Sequence, residues 1–512
     1  MAETSLQHEF EPSTPESKHS ALGRIAALAH DDNFEEDKDL YPSFEDFTRV
    51  LSASGRWLLV SDLIALFLAF LCAGDLALGI KMYLTGGFQN LVGVYSLQEF
   101  ITFFGLGAMA LLWLDSKGHY RQRLPYWETA GHIVALSLAG LIAAGFLLFA
   151  VKNSPSRLWL GLSWLLFGAF ILIGRALTRR GLERAGLWKV PTLLIGEGPT
   201  AQAVVATLAR ESEMGFNIVE QIPSESLSVL KKPAVWKRIM TLHGTRYILI
   251  ALESAELEQQ QDALKAMVRE RLPCSIVPPW LGLPSSTLSA HHFLMNDLMM
   301  MHDTNRLTLL LPRFLKRGFD IVVAGLGLIA ISPLFVVVAL IVRLDGGPAF
   351  FRQQRVGRDG KVFSCYKFRS MRVDAEEFLK VYLEKNPDAA VEWRQFQKLK
   401  NDVRVTKFGD FIRRTSIDEL PQLLNVLKGE MSLVGPRPIM PGQENYYADD
   451  FMYYEYVRPG ITGPWQVSGR SSLTFKQRVD LESWYARNWS LWLDIVIILK
   501  TAPALLQKGQ AF

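Results

Sequence analysis

The chain has 512 residues, 49% of them hydrophobic and only 21% charged, with a formal net charge of +4. That length is too great for one core, and the positive mean hydropathy points to a protein partly embedded in a membrane. The small net charge gives no footing for nucleic-acid binding, and three cysteines far apart in the chain (Cys72, Cys274, Cys365) supply neither a disulfide framework nor metal-ligand spacing.

Residues 1–47 carry about a dozen acids against three Lys and Arg, with Pro and Ser and little periodic apolar pattern. Such a segment buries too little to fold alone and reads as a disordered acidic tail, with one short helical stretch over Ala21–His30. No cleavable signal sequence is read, because the first apolar run begins only near Trp57.

Four apolar runs follow, near 57–80, 94–114, 132–151 and 158–177. Each approaches the roughly 20 residues that a bilayer-crossing helix needs, so 48–185 reads as a four-helix transmembrane bundle. A bundle of buried soluble helices is the alternative; runs such as Leu138–Val151, without a single charge, speak against it. The second connection carries Lys117, Arg121 and Arg123, and Arg175, Arg179, Arg180, Arg184 and Lys189 follow the fourth run. By the positive-inside rule both ends of the bundle face the cytoplasm.

Residues 186–305 change character. Val190–Ile195 reads as a buried strand, Gly196-Glu-Gly198-Pro-Thr-Ala201 as a turn, and Gln202–Arg210 as a helix; Tyr247–Leu252 and Ser275–Val277 add strands. This is half of a Rossmann-like α/β module, with Glu220 roughly where a ribose-binding acid would fall. The glycine pattern is weakly specific, and Pro199 removes an amide from the phosphate cradle. The module is therefore expected to be structural or regulatory and to bind no dinucleotide.

The last segment, 306–512, opens with an apolar run from Ile321 to Val342, the core of a helix over 313–343, broken by Ser332-Pro333. Length alone makes it a fifth spanning helix. Arg313, Lys316 and Arg317 precede it and Arg343, Arg352, Arg355 and Arg358 follow, so the positive-inside rule puts both ends on one side, as in a re-entrant hairpin. Pro333 costs a straight helix about 3 kcal/mol. A bend relieves the clash, and Ser332 can satisfy the freed carbonyl. Beyond the turn Asp345–Pro348, Lys361–Met371 alternates as a strand, placing Lys367 and Arg369 on one face, either solvated or anion-binding. Residues 374–400 read as charged amphipathic helix broken near Asn386-Pro387.

Leu420, Leu423, Leu424 and Leu427 recur at helical spacing, so a short helix is predicted to start near Asp418 and stop at Lys428-Gly429. Asp418 and Glu419 then lie in its first turn, either as caps, with Ser416 and Glu419 forming a capping box, or as a functional pair. Arg413 and Arg414 upstream, and Arg437 between Pro436 and Pro438, favour function: two acids able to hold a divalent cation, ringed by arginines, suit a diphosphate.

Asp418-Glu419-Leu-Pro-Gln-Leu, followed by Ser432-Leu-Val-Gly-Pro-Arg-Pro438, resembles the bacterial sugar transferase family, the monotopic phosphoglycosyl transferases. The resemblance runs from about Arg313 to the C-terminus, roughly two fifths of the chain. It includes Tyr366-Lys-Phe-Arg-Ser-Met371, the Ser332-Pro333 break and the Gly- and Pro-rich loop Arg458–Arg470. The architecture looks closest to the family's long subgroup, with an α+β monotopic catalytic domain behind membrane helices and an α/β module.

The resemblance implies transfer of a hexose-1-phosphate, galactose being the expected sugar, from a UDP-sugar to undecaprenyl phosphate, releasing UMP. This is the first membrane step of O-antigen, capsule or exopolysaccharide synthesis. It implies Asp418 as the nucleophile toward the β-phosphorus, and Glu419 sharing Mg²⁺ with Asp418 or assisting protonation. Arg413 would lie near the lipid phosphate and Arg437 near the transferred one, with Lys367 and Arg369 binding anion and Arg458, Gln466 and Arg470 touching nucleotide or phosphate. It also implies a homodimer in the bacterial inner membrane, with the catalytic domain facing the cytoplasm and no nucleic-acid partner. Trp484, Tyr485, Trp489 and Trp492, at the apolar stretch Leu491–Leu499, suit a lipid headgroup layer, with ordinary core aromatics as the alternative.

Two readings compete. A membrane-bound nucleotide-sugar dehydratase or epimerase also joins membrane helices to a glycine-patterned α/β domain, but the chain holds no Tyr-x-x-x-Lys. A non-catalytic scaffold for polysaccharide assembly leaves the acids and arginines around Asp418 unexplained.

Overall fold

A computed structural model of the chain describes residues 44–85, 97–151, 156–229, 233–269, 272–279, 288–292, 299–303, 307, 309–387, 389–390, 402–469 and 473–506. Residues 1–43 of the acidic tail expected over 1–47, with its stretch at Ala21–His30, lie outside the described residues, as does Arg470, while residues 44–47 open the first helix instead of continuing the tail. Two compact units divide the chain, 1–281 and 282–512.

The first unit opens with four long helices: α1 (Phe44–Thr85), α2 (Leu97–Ser116), α3 (Tyr126–Ala150) and α4 (Arg157–Arg184). Each contains a stretch long and apolar enough to cross a membrane. Their outer faces expose Leu63, Ile64, Phe67, Leu112, Ile142, Phe146 and Leu165, an arrangement that lipid tolerates and water does not. Inside, Phe70, Phe103, Trp159, Trp164 and Phe167 pack ring against ring. Small residues allow the approach: a Cβ on Gly140 would lie 2.1 Å from the Trp164 ring.

A charge pair is buried in the bundle, Arg175 Nη2 at 2.5 Å from Asp62 Oδ2, and the Tyr120 hydroxyl donates to the same oxygen at 2.8 Å. The connection between α2 and α3 thus folds back against α1 and α4. Its Arg123 stacks on Trp188 at 3.6 Å from the ring centroid, which ties the bundle to the α/β module.

That module carries β1 (Val190–Ile195), α5 (Pro199–Arg210), β2 (Phe216–Ile222), α6 (Pro233–Leu242), β3 (Tyr247–Ala251), α7 (Ser254–Gln259), α8 (Gln261–Arg269) and β4 (Cys274–Val277). The four strands form one parallel sheet in the order β2-β1-β3-β4, with the crossover reversal at β1 and β3. In such sheets the reversal opens a crevice for ligands at the strand ends. Gly196 sits there at φ 122°, and a Cβ on it would meet Ala251 O at 2.0 Å, so only glycine fits. The crevice already holds a carboxylate. Glu253 Oε1 accepts the Thr200 amide at the start of α5 at 2.8 Å, and the same side chain caps α7 in a capping box with Glu256. Glu220 lies on β2, 3.6 Å from His243.

In the second unit, β5 (Leu288–His292) and β6 (Met299–Asp303) pair as a hairpin. Then α9 (Leu310–Arg343) runs through Pro333 as one helix of 34 residues. Pro333 offers no amide to Ile329 O, and Ser332 Oγ donates to that carbonyl instead at 2.8 Å, as the sequence suggested. Both ends of α9 dock on the same fold. Toward its start, Lys316 bonds Asp494, Arg317 donates to the carbonyls of Val426 and Leu427, and Asp320 accepts from Ser432 Oγ and the Leu433 amide. Toward its end, Val338 and Val342 pack against Phe368 and Ile412, burial worth roughly 1.5–3 kcal/mol per side chain. Between and beside these anchors, Leu326, Ile329, Leu334, Val336, Val337 and Leu340 are exposed.

A hairpin of β7 (Phe350–Val356) and β8 (Val362–Phe368) follows, its turn bringing Asp359 to φ 57°. Next come α10 (Ala375–Lys385), α11 (Lys407–Arg414), α12 (Gln422–Lys428), β9 (Ser432–Val434), α13 (Phe451–Tyr456), β10 (Gly460–Thr462), α14 (Pro464–Ser468), α15 (Phe475–Arg487) and α16 (Leu491–Leu506). β9 and β10 pair in parallel. The expected headgroup aromatics are corrected: Tyr485 and Trp489 are core, 0% and 3% exposed, because their polar atoms bond the buried Asp494. Trp484 is exposed.

Candidate active site

The helix expected from Asp418 begins later. Ile417–Glu419 is a separate 3₁₀ turn, entered through Ser416 at φ 54°, and α12 starts after Pro421. Ser416 makes no side-chain cap, so the capping-box alternative fails, and the two carboxylates do not sit in the first turn of an α-helix. The stop at Lys428-Gly429 is as read, with Gly429 left-handed at φ 87°.

The 3₁₀ turn lies against the end of β8, and the two acids meet different neighbours. Glu419 Oε1 accepts from Lys367 Nζ at 2.7 Å and stands 3.9 Å from Arg437 Nη2. Burial pushes its pKa up, but Lys367, Arg437 and Arg355 outweigh that and hold it below the ordinary value. Asp418 is buried, and burial pushes its pKa up to about 6, against the opposing charges of Lys367 and Arg413 and with the help of Glu419. Two adjacent carboxyls with pKa values driven apart are the mark of a pair with divided roles.

A small cleft beside them is lined by Arg355, Lys367, Glu419, Arg437, Gly460 and Gln466 among others. Its lining comes from β10 (Gly460, Ile461), the β7–β8 hairpin (Arg355, Cys365, Lys367) and the start of α12 (Gln422). Three cations and one paired carboxylate give it the sign that an anionic ligand needs. Lys367, Glu419, Arg437 and Gln466 were expected here from the sequence. Arg413 is close enough to Asp418 to depress its pKa, with its Nε donating to Ser370 Oγ at 2.7 Å.

Two expected ligands are elsewhere. β8 ends at Phe368, so Arg369 leaves the strand face; it bonds Val342 O at 2.8 Å and pairs with Asp345, clamping the end of α9. Arg458 Nε donates to Gly429 O at 2.7 Å and satisfies the carbonyl end of α12, the reason it does not line the cleft. Sequence reasoning missed Arg355, which alternates with Arg352 along β7 and so reaches the cleft face. It also missed Gln422, which lines the cleft at the start of α12.

Among the described residues no three His, Cys, Asp or Glu side chains converge as a metal site. A divalent ion would therefore find two protein carboxylates, Asp418 and Glu419. That fits Mg²⁺, which takes one or two carboxylates and completes its shell with substrate phosphates and water.

The sequence profile described as bacterial sugar transferase matches residues 311–508, the stretch containing all of these groups. The chain is 37% identical over 467 residues to an undecaprenyl-phosphate galactose phosphotransferase of Salmonella typhimurium, covering 89% of this chain and 97% of that protein. It is 36% identical to a UDP-galactose-lipid carrier transferase of Erwinia amylovora, over 88% of this chain and 97% of the relative. It is 30% identical to a UDP-glucose:undecaprenyl-phosphate glucose-1-phosphate transferase of Xanthomonas campestris pv. campestris, over 75% and 83%.

Proposed function

The chain belongs to the bacterial sugar transferase family, and from that premise we propose that it moves a hexose-1-phosphate from a UDP-sugar to undecaprenyl phosphate. Galactose is the sugar favoured, because two relatives matched over nearly their whole length are named for it. The observation that carries the reading is the split carboxylate pair, Asp418 and Glu419, beside a cleft lined by Arg355, Lys367 and Arg437.

In the proposed reaction an Asp418 carboxylate oxygen attacks the β-phosphorus. The bond from that phosphorus to the oxygen bridging the α-phosphate breaks, and UMP leaves with the bridging oxygen. A phosphate oxygen of undecaprenyl phosphate then attacks the phosphorus of the sugar-phosphate adduct, and the carboxylate is released. A raised pKa makes Asp418 a stronger nucleophile than an exposed aspartate, yet leaves it ionised near neutral pH. Glu419, held ionised by its cations, keeps Lys367 and Arg437 beside the reacting phosphorus, where negative charge accumulates. Asp418 and Glu419 would hold Mg²⁺, which supplies further neutralisation of the diphosphate when bound.

The acceptor lies in a leaflet, so the site must lie at membrane depth. We read α9 as re-entrant. Its two ends dock on one fold while its middle exposes apolar side chains, and a spanning helix could not hold both ends on one domain. In this reading the catalytic domain faces the cytoplasm, where nucleotide sugars are found, and the bundle α1–α4 crosses the inner membrane. With the three native cysteines replaced, Leu311→Cys and Leu344→Cys are both expected to react with an impermeant maleimide only from the cytoplasmic side. Labelling of position 344 from outside would overturn the topology.

The direct test of function is a panel of UDP-sugars with undecaprenyl phosphate, scored by UMP release. UDP-galactose is expected to be the fastest donor. No UMP from any donor refutes the reading; a faster UDP-glucose corrects the sugar alone.

A further inference from the structure

Arg437 is held by a side-chain bracket that the reaction scheme does not mention. It lies beyond β9, flanked by Pro436 and Pro438, so its amide and carbonyl have no sheet partner. Two side chains of α15 supply both. The Arg437 amide donates to Glu482 Oε1 at 3.0 Å, and its carbonyl accepts from Arg478 Nη2 at 3.1 Å. Arg478 Nε in turn donates to the same Glu482 oxygen at 3.0 Å, and the Tyr447 hydroxyl donates to Glu482 Oε2. Glu482 is only 2% exposed.

The guanidinium is walled as well. Trp465 faces Arg437 at 5.3 Å and Arg478 at 5.4 Å from its ring centroid, so one indole packs against both guanidinium groups. Backbone and side chain of Arg437 are thereby fixed together, with Nη2 aimed at Glu419. A single buried carboxylate on α15 closes the circuit. Ordinary core packing needs no such arrangement: cores of this size are filled by apolar residues, and a buried charge costs stability unless it is fully paired.

Resting on the phosphoglycosyl-transfer reading above, we infer that Glu482, Arg478 and Trp465 are positioning residues, which hold the Arg437 guanidinium against the diphosphate of the nucleotide sugar without touching it. Their effect passes through Arg437. Without the bracket the arginine keeps its charge and loses its aim, and a misplacement of about 1 Å in such a group costs roughly 100-fold in rate.

The test is a double-mutant cycle in the full-length, membrane-extracted enzyme: Glu482→Gln, Arg437→Met and both together. It is read as kcat/KM for the UDP-sugar and, without turnover, as affinity for UDP. Glu482→Gln keeps the shape and an acceptor for the Arg437 amide, and is expected to lower kcat/KM by roughly 10- to 100-fold while leaving the KM for undecaprenyl phosphate unchanged. On the Arg437→Met background it is expected to add nothing to either readout. Losses that multiply in the double variant, or a rise in the acceptor KM of the same size, mean a general structural role and overturn the inference. So does a Glu482→Gln enzyme as active as the wild type. Should Glu482→Gln fail to fold, Trp465→Leu enters the same cycle and must show the same dependence on Arg437. A wild type that releases no UMP refutes the proposed function instead, and the UDP-affinity cycle then decides the positioning claim alone.

Discussion

Asp418→Asn is expected to bring UMP release to background in an enzyme that folds at least as well as the wild type. The amide is nearly isosteric but has no anionic oxygen to attack phosphorus, so the loss falls on the chemical step and not on donor binding. The wild type carries a matching pH signature. With the Asp418 pKa raised by burial to about 6, kcat/KM should climb through that pH as the carboxylate loses its proton. Stability should move the other way. The folded state keeps a proton that the unfolded chain releases near 3.8, so stability falls as pH rises from that value to about 6 and stays lower above it. At about 1.4 kcal/mol per pKa unit, ionised Asp418 costs on the order of 3 kcal/mol at neutral pH. Asparagine removes that cost, so at pH 7.5 the variant should resist heat or protease no worse than the wild type. Activity within ten-fold of wild type would eliminate Asp418 as the nucleophile; a variant that is inactive and unfolded would refute the energetic account of the site.

The elements that sequence reasoning reached were those whose signals are local. Val190–Ile195 is a strand with the bounds that were read, because an apolar run between turn residues has few other fates. Ser332 bonds the carbonyl that Pro333 leaves free, because the defect and its remedy are neighbours in the chain. The site was legible where residues cluster in sequence: Asp418, Glu419 and Arg437 lie within twenty positions of one another.

Signals that depend on distant partners were not legible. Arg369 follows the alternation of Lys367 but leaves the strand one residue after Phe368, since Val342 O and Asp345 claim its guanidinium. Arg458 looked like a phosphate ligand in a glycine-rich loop; an unsatisfied carbonyl at Gly429 decides its place, and nothing near Arg458 in the chain announces that. Glu253 shows the same limit in the α/β module. The glycine pattern suggested a phosphate cradle, but the amide it would offer is taken by a carboxylate more than fifty residues away. The expectation that the module is structural or regulatory and binds no dinucleotide draws on that occupant as well as on Pro199.

The largest stability effect is expected at Asp494, which looked like a mere interruption of an apolar run. It is 0% exposed and accepts from Lys316 Nζ at 2.6 Å, the Tyr485 hydroxyl at 2.7 Å and Trp489 Nε1 at 3.1 Å. It thereby joins α9, α15 and α16, and Lys316 reaches on to Val434 O, three residues before Arg437. Asp494→Ala leaves a buried ammonium without its counter-ion and the Trp489 indole N–H without its acceptor, while the Tyr485 hydroxyl keeps Val434 O at 3.0 Å, a loss of about 3–5 kcal/mol. Against a total stability of roughly 5–15 kcal/mol, that should leave the catalytic unit open to protease at temperatures the wild type survives. The loss comes from an uncompensated charge and not from missing attraction, so removing both partners should do less harm than removing one. Lys316→Met with Asp494→Leu is expected to recover most of the resistance that Asp494→Ala loses, with Asp494→Asn in between. Limited proteolysis of the full-length protein in detergent reads all four. An Asp494→Ala protein as resistant as the wild type would mean that this junction does not hold α9 to the fold, and the docking of both its ends on one domain would then lose its strongest anchor.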